Sequence, residues 1–252
     1  MHTQLSGLSG KVILITGGAS GIGLATAQVA AANGAQVICA DLAQPEGQIL
    51  PPGCEFQALD VTNADATDAL VQGIVQRYGQ IDGLVTSAGI SAVGNIEQMG
   101  LAQWSQVLTV NLTGSMLSMR AVAAHMRGRQ QESMVAIASI NGMLGNASNL
   151  AYCTSKGGVI QMVRSLAADL GGAGVRVNCI SPGLIQTPMT AMLEGMPALQ
   201  GFVQQHLLGR AGQAVEVGAT AAFLLSDLSS FITGVNIPVD GGFSAAKVIE
   251  MF

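Results

Sequence analysis

Along the chain, short apolar runs alternate with longer stretches whose apolar residues recur at helical spacing. Val12–Thr16, Gln36–Asp41 and residues 84–87, 134–139 and 175–180 are nearly continuous in aliphatic and small residues, and residues 55–60 alternate. Between them, residues 22–33, Ala64–Tyr78, 101 to about 127 and 151–170 read as helices, with Leu70, Ile74 and Val75 on one face of the second. Runs apolar on both sides predict a parallel sheet covered by helices on each face. Such sheets bind ligands beyond the carboxyl ends of their strands, where the strand order reverses. No Pro- or Ser-rich linker and no charge block divides the sequence, so one domain over residues 1–252 is expected.

Two segments depart from the alternation. Residues 184–206, after Pro182-Gly183, show no clear strand, contain several Met and Thr, and carry Gly195 and Pro197 as hinge points. Long irregular insertions of this kind are commonly functional, which predicts a lid over a substrate. The second departure follows a helix at residues 215–225, where Ile237-Pro238-Val239-Asp240-Gly241-Gly242 leads into the last residues, 244–252.

Composition narrows the function. Charged residues are 10% of the chain, 10 Lys+Arg against 15 Asp+Glu for a net charge of -5, which argues against a nucleic-acid partner. So little charge also predicts large protein-covered faces, hence a homo-oligomer. The uncharged runs are broken by glycines or interleaved with Gln, Asn, Ser and Thr, so no membrane span is expected. Residues 1–7 lack a basic segment followed by an apolar core, and Cys39, Cys54, Cys153 and Cys179 are widely spaced without a C-x-x-C pair. Reduced thiols and a cytoplasmic location follow as expectations.

The first strand ends in Thr16-Gly17-Gly18-Ala19-Ser20-Gly21-Ile22-Gly23, directly before a helix. Glycines there let the backbone turn tightly and approach a pyrophosphate, while the helix N-terminus offers free N–H groups and partial positive charge. A dinucleotide site is expected. Asp41 closes the second strand 18 residues after Gly23, where a carboxylate accepts hydrogen bonds from the adenosine ribose. A 2'-phosphate would face that charge, and neither Ser20 nor Leu42 offers a cation, so NAD is expected over NADP.

Tyr152 and Lys156 lie four apart on a helix and share a face. A phenol titrates near about 10, and a neighbouring ammonium is expected to lower that value and make Tyr152 a usable base. Ser139, 13 residues upstream at a strand end, can hydrogen-bond a substrate oxygen.

With these motifs the sequence resembles the classical short-chain dehydrogenase/reductase family over nearly its whole length. The family's T-G-x-x-x-G-x-G matches Thr16 to Gly23, and its Y-x-x-x-K matches Tyr152 and Lys156. Its active-site serine and helix asparagine match Ser139 and Asn111. Its P-G motif matches Pro182-Gly183, with Ile185 and Thr187 downstream, and Asp60-Val61 matches the pair that contacts adenine. The resemblance implies a Rossmann-type, doubly wound α/β fold of about seven strands, a homotetramer, and a catalytic tetrad of Asn111, Ser139, Tyr152 and Lys156. It further implies that Lys156 holds the nicotinamide ribose and that Asn111 positions a water in a proton relay. Cofactor contacts are implied at Gly17, Ser20, Gly21, Ile22, Gly23, Asp41, Asp60, Val61, Ala88, Gly89, Tyr152, Lys156, Pro182, Gly183, Ile185 and Thr187. One departure is plain: the family's N-N-A-G stands here as Thr86-Ser87-Ala88-Gly89, which puts local hydrogen bonding within the sheet in question.

The expected reaction is hydride transfer between NAD and a secondary alcohol or ketone. Met189, Met192 and Leu193, with Met143 and Leu144, point to an apolar substrate pocket. Two rivals are an NADP-dependent reductase of 3-oxoacyl thioesters and an NAD-binding regulator without catalysis. Asp41 weighs against the first, and the intact Ser139, Tyr152, Lys156 and Asn111 weigh against the second. His125 and His206 lack a second ligand at metal spacing and read as solvated or packed side chains, so no metal is expected; Trp104 reads as a packing anchor.

Overall fold

In a computed structural model of the chain, which describes residues 5–44, 47, 50–129, 131–191, 195 and 197–246, seven strands form one parallel sheet. In chain order these are β1 (Val12–Thr16), β2 (Gln36–Asp41), β3 (Cys54–Ala58), β4 (Gly83–Thr86), β5 (Ser133–Ile137), β6 (Arg176–Pro182) and β9 (Asn236–Val239), arranged β3-β2-β1-β4-β5-β6-β9. From β1 the chain winds outward through β2 and β3, then returns to pair β4 with the other edge of β1. The order reverses there, which opens a crevice beyond Thr16 and Thr86.

Side-chain alternation assigns the two faces. Ile13 and Ile15 point toward α1 (Gly21–Ala32) and α8 (Ala214–Leu225), where Ala27, Ala30, Val217 and Ala221 are fully buried. The small alanines let both helices lie close to the sheet. Val12 and Leu14 point the other way, into a core built from Val71 and Ile74 of α2 (Ala64–Tyr78), Met119 and Val122 of α4 (Gly114–Met126), and Val159 and Val163 of α5 (Leu150–Gly171). This is the doubly wound α/β domain expected from the apolar runs.

Three details differ from the sequence expectation. Strand β5 stops at Ile137, so Ser139 lies beyond the strand and caps a short 3-10 turn, Ile140–Gly142. Residues 184–206 are not strandless: β7 (Ile185–Gln186) pairs in parallel with β8 (Gly212–Gln213), and α6 (Pro188–Ala191) and α7 (Pro197–Gln204) follow β7. Met192 and Leu193 lie outside the described residues. The helical stretch from residue 101 is α3 (Leu101–Leu108) joined to α4 by a π turn, Thr109–Thr113. By length and composition alone this 26-residue rod could cross a membrane, but half of its apolar window is buried inside the fold, and Met119, Val122 and Met126 belong to the core.

At the amino ends of the strands, the buried Asp82 carboxylate accepts from the Val12 N–H at 2.7 Å, the Gln80 amide at 2.8 Å and the Arg129 guanidinium at 2.9 Å. It fixes the β1–β4 register from below, far from the crevice. Asp82→Ala should leave a buried N–H and the guanidinium without their acceptor and cost about 3 kcal/mol in urea unfolding. A loss under about 0.5 kcal/mol, within the range of ordinary surface substitutions, would remove that role from Asp82.

Candidate active site

A cleft of about 710 Å³ opens at the carboxyl ends of β1 and β4. Gly17 lines it with φ 68°, a left-handed conformation that side chains disfavour, and a Cβ there would sit 2.5 Å from the Ala88 backbone nitrogen. Ser20, Gly21 and Ile22 also line the cleft at the start of α1, where the first-turn N–H groups have no acceptor within the helix. Gly23 does not line it. A Cβ at Gly23 would strike the Gly17 carbonyl, so this glycine lets α1 pack on the loop.

Asp41 reaches the cleft from the end of β2, and its carboxylate also braces the glycine loop, accepting from the Ala19 N–H at 3.1 Å and from the Leu42 N–H at 2.8 Å. Asp60 and Val61 line the same end. The Asp60 carboxylate accepts from the Thr62 hydroxyl at 2.7 Å and its N–H at 2.9 Å, and those bonds hold it below the usual carboxylate range. Ala88, Gly89, Pro182, Gly183, Ile185 and Thr187 complete the lining named from the sequence. Among the described residues lining the cleft, Lys156 is the only Lys or Arg. A loop with no room for side chains at Gly17, free helix N–H groups and a carboxylate at the end of β2 fit a dinucleotide.

Ser139, Tyr152 and Lys156 converge on the opposite end of the cleft. Ser139 lies within hydrogen-bonding reach of the Tyr152 phenol, and its own oxygen accepts from the Asn141 N–H at 3.1 Å. Lys156 is 4% exposed and donates to the Ile137 carbonyl at 2.8 Å. Its Nζ stands 5.8 Å from the centre of the Tyr152 ring. The expected lowering of the phenol by this ammonium is not what the geometry gives. Burial pushes the phenol above its ordinary value, with the Ser139 hydrogen bond opposing, and burial lowers the Lys156 ammonium to about 8.

Asn111 stands behind the lining, fully buried in the π turn. Its Oδ1 accepts from the Ile90 N–H at 2.8 Å, and its Nδ2 donates to the Ile90 carbonyl at 2.9 Å and to the Ser155 hydroxyl at 3.0 Å. Ser155, not singled out from the sequence, donates to the Tyr152 carbonyl at 2.8 Å and so joins Asn111 to the Tyr152 helix. Its place between Tyr152 and Lys156 was a usable signal; its partner, 44 residues away, was not. Ser105, Gln106 and Thr109 also line the cleft and carry no distinguishing pattern in the sequence.

Where the family has its asparagine pair, Thr86 faces Thr16 across the β1–β4 register, and both buried hydroxyls lack a partner. Met189 lines the cleft, whereas Met143 and Leu144 are partly exposed outside it. His125 is exposed, Trp104 is half-buried, and His206 is buried. Among the described residues no three His, Cys, Asp or Glu side chains gather at metal-binding spacing, and all four cysteines are free, Cys39 and Cys179 buried.

Comparison with known proteins agrees with this geometry. Residues 17–244 match the family model described as enoyl-(acyl carrier protein) reductase. The chain is 39% identical to a 3-oxoacyl-[acyl-carrier-protein] reductase of Thermotoga maritima, over 93% of this chain and 98% of that one. It is also 39% identical to trans-4-hydroxycyclohexanecarboxylate dehydrogenase of Sinomonas cyclohexanicum, over 94% of each. The solved structure of Thermoplasma acidophilum aldohexose dehydrogenase in ligand-free form superposes with a TM-score of 0.91 at 33% identity, covering 98% of this chain and 99% of that one. With the glycine loop, the serine, tyrosine and lysine and the seven-stranded order all in place, the chain belongs to the classical short-chain dehydrogenase/reductase family and is an oxidoreductase that binds a nicotinamide cofactor.

Proposed function

We propose that the protein is an NAD-dependent oxidoreductase that interconverts an uncharged, largely apolar secondary alcohol and its ketone. The charge of the cleft carries this reading. Asp41 stands where a 2'-phosphate would lie, and the only Lys or Arg among the described lining residues is Lys156, at the other end beside Tyr152. A phosphate or carboxylate on the substrate would find no cation apart from this buried lysine. The relative from Sinomonas, named for trans-4-hydroxycyclohexanecarboxylate, supports a cyclic secondary alcohol as the reacting group, although its own named substrate carries a carboxylate. The Thermotoga relative, named for a 3-oxoacyl-[acyl-carrier-protein], favours the rival reading. Against it, Lys11, Arg77, Arg120, Arg129 and Arg210 are each paired with a carboxylate rather than gathered at the cleft mouth.

When bound, the dinucleotide supplies the nicotinamide carbon that accepts or gives the hydride. Gly17, the first turn of α1, Asp41 and Asp60 would hold its adenosine and pyrophosphate, and Lys156 its nicotinamide ribose. Ser139 donates a hydrogen bond to the substrate oxygen and holds it against Tyr152. Tyr152 takes the hydroxyl proton in oxidation and returns it in reduction. Lys156, lowered to about 8 by burial, can release a proton to solvent and then take up the one that Tyr152 has removed. Residues 184–206 act as a lid, with Met189 on the substrate and Gly195, at φ 79°, as a hinge. A homotetramer fits the same reading, since Leu101, Leu228 and Phe231 stand exposed.

The unaltered protein should oxidise cyclohexanol-type alcohols with a kcat/KM at least about tenfold higher for NAD than for NADP, and Asp41→Ala with Leu42→Arg should reverse the preference. Equal or better turnover with NADP in the unaltered protein would reject the cofactor reading. The raised Tyr152 phenol sets a second expectation. Oxidation needs the phenol deprotonated, so its rate should rise with pH across the alkaline range, while ketone reduction, which needs the protonated form, should fall. Tyr152→Phe should lose about a thousandfold or more in turnover and keep NADH binding within about twofold. Substantial oxidation by that variant would overturn the mechanism.

A further inference from the structure

The Pro182–Gly183 wall of the cleft is backed by a histidine that the chemistry above does not use. His206 is 3% exposed and lies between α7 and the turn that follows β9. Its Nε2 is 3.1 Å from the Leu184 N–H and its Nδ1 is 2.9 Å from the Phe202 carbonyl. An amide N–H can only donate and a carbonyl can only accept, so Nε2 is the acceptor and Nδ1 carries the proton. The ring is therefore neutral, in one tautomer, and joins the residue after Gly183 to α7 of the lid segment.

Packing allows the ring little other placement. Its centre is 5.3 Å from the Phe202 ring and 5.0 Å from the Phe243 ring, and those two phenyls meet edge to face at 5.4 Å. A Cβ on Gly183 would fall 2.7 Å from Nε2, so only glycine lets the ring reach the back of the wall. The Gly183 N–H donates to the Val239 carbonyl at 3.0 Å and the Leu208 N–H to the Gly241 carbonyl at 3.1 Å, which closes the 240–245 turn onto the same unit.

We propose that His206 is a positioning residue, whose neutral ring locks α7 and the 240–245 turn to the Pro182–Gly183 wall and whose protonation releases them and weakens dinucleotide binding. The proposal rests on the reading of that wall as part of the cofactor site. Imidazolium would point an Nε2–H at the Leu184 N–H, replacing a hydrogen bond by two opposed donors around a buried charge. Of α7, residues 182–184, 205–209 and 240–245, which surround the ring, only Asp240 adds a titratable group. Its carboxylate is occupied within its own turn, accepting from the Gly242 N–H at 3.0 Å, the Ser244 N–H at 2.9 Å and the Ser244 hydroxyl at 2.6 Å. Burial works to raise it, but these donors outweigh burial and hold it below the usual range. Asp240 therefore remains an anion that favours the imidazolium without replacing its lost hydrogen bond.

The test compares NADH binding, by fluorescence, with hydrogen exchange of the segment containing Leu184, at about pH 8 and about pH 5.5. His206→Gln keeps a donor and an acceptor without a titrating proton, and His206→Phe fills the space between the phenyls without an acceptor. The unaltered protein should bind NADH about tenfold more weakly at the lower pH. The Leu184 segment should then exchange faster after correction for intrinsic rates. His206→Gln should show neither change, and His206→Phe should bind weakly and exchange fast at both values. An unaltered protein insensitive to pH, a glutamine variant that follows it, or a phenylalanine variant that binds like it would each overturn the proposal. Should NADH fail to bind the unaltered protein even at about pH 8, the cofactor reading falls, and the exchange data alone still decide whether His206 locks Leu184.

Discussion

The buried carboxamide of Asn111 holds both backbone groups of Ile90 and, through its second N–H, the hydroxyl of Ser155. Three segments that share no local sequence meet in this one side chain: the loop after β4, the rod of α3 and α4, and the first turns of α5. The π turn makes that possible, because its extra residue turns Asn111 toward both the β4 loop and α5. Ser155 extends the hold to the Tyr152 carbonyl. Gly89, beside the clamped Ile90, approaches Lys156 so closely that a Cβ there would lie 3.5 Å from Nζ. The placement of the phenol and ammonium against the loop that follows β4 thus depends on a fully satisfied polar network in a site without water access, where losing one partner is costly.

Around this clamp, low charge and high glycine content have local meanings. The glycines stand where the backbone must come close, at Gly17 against Ala88, at Gly142 against the Lys156 backbone, and at Gly183 against His206. The scarcity of cations leaves one lysine among the described lining residues, and burial lowers its ammonium to about 8, so that it loses its charge only above neutral pH. An environment of this kind favours reactants without net charge and makes proton transfer at Tyr152 sensitive to the depth of burial.

The fold was legible because buried parallel strands are apolar on both faces and the helices between them keep a 3.6-residue period. The glycine loop, Asp41, Ser139, Tyr152 and Lys156 were legible because each chemical demand falls at a short, fixed spacing. What escaped depends on distance through space. The two-residue pair β7–β8 is too short for any period, and the π turn has no residue signature. The bonds from His206 to Leu184 and from Asn111 to Ile90 span 22 and 21 residues. Even the direction of the Tyr152 shift was misjudged, because a lysine four residues away is visible in the sequence and the depth of burial is not.

Turnover of Asn111→Ala, alongside hydrogen exchange at the Ile90 amide, measures directly whether the Asn111 carboxamide sets the reaction geometry. Expected are a fall in kcat of about a hundredfold or more, lost protection at Ile90, and unfolding that stays cooperative because the sheet and the α1–α8 layer lie outside the clamp. A variant that turns over within about twofold of the unaltered protein while Ile90 loses its protection would contradict that role.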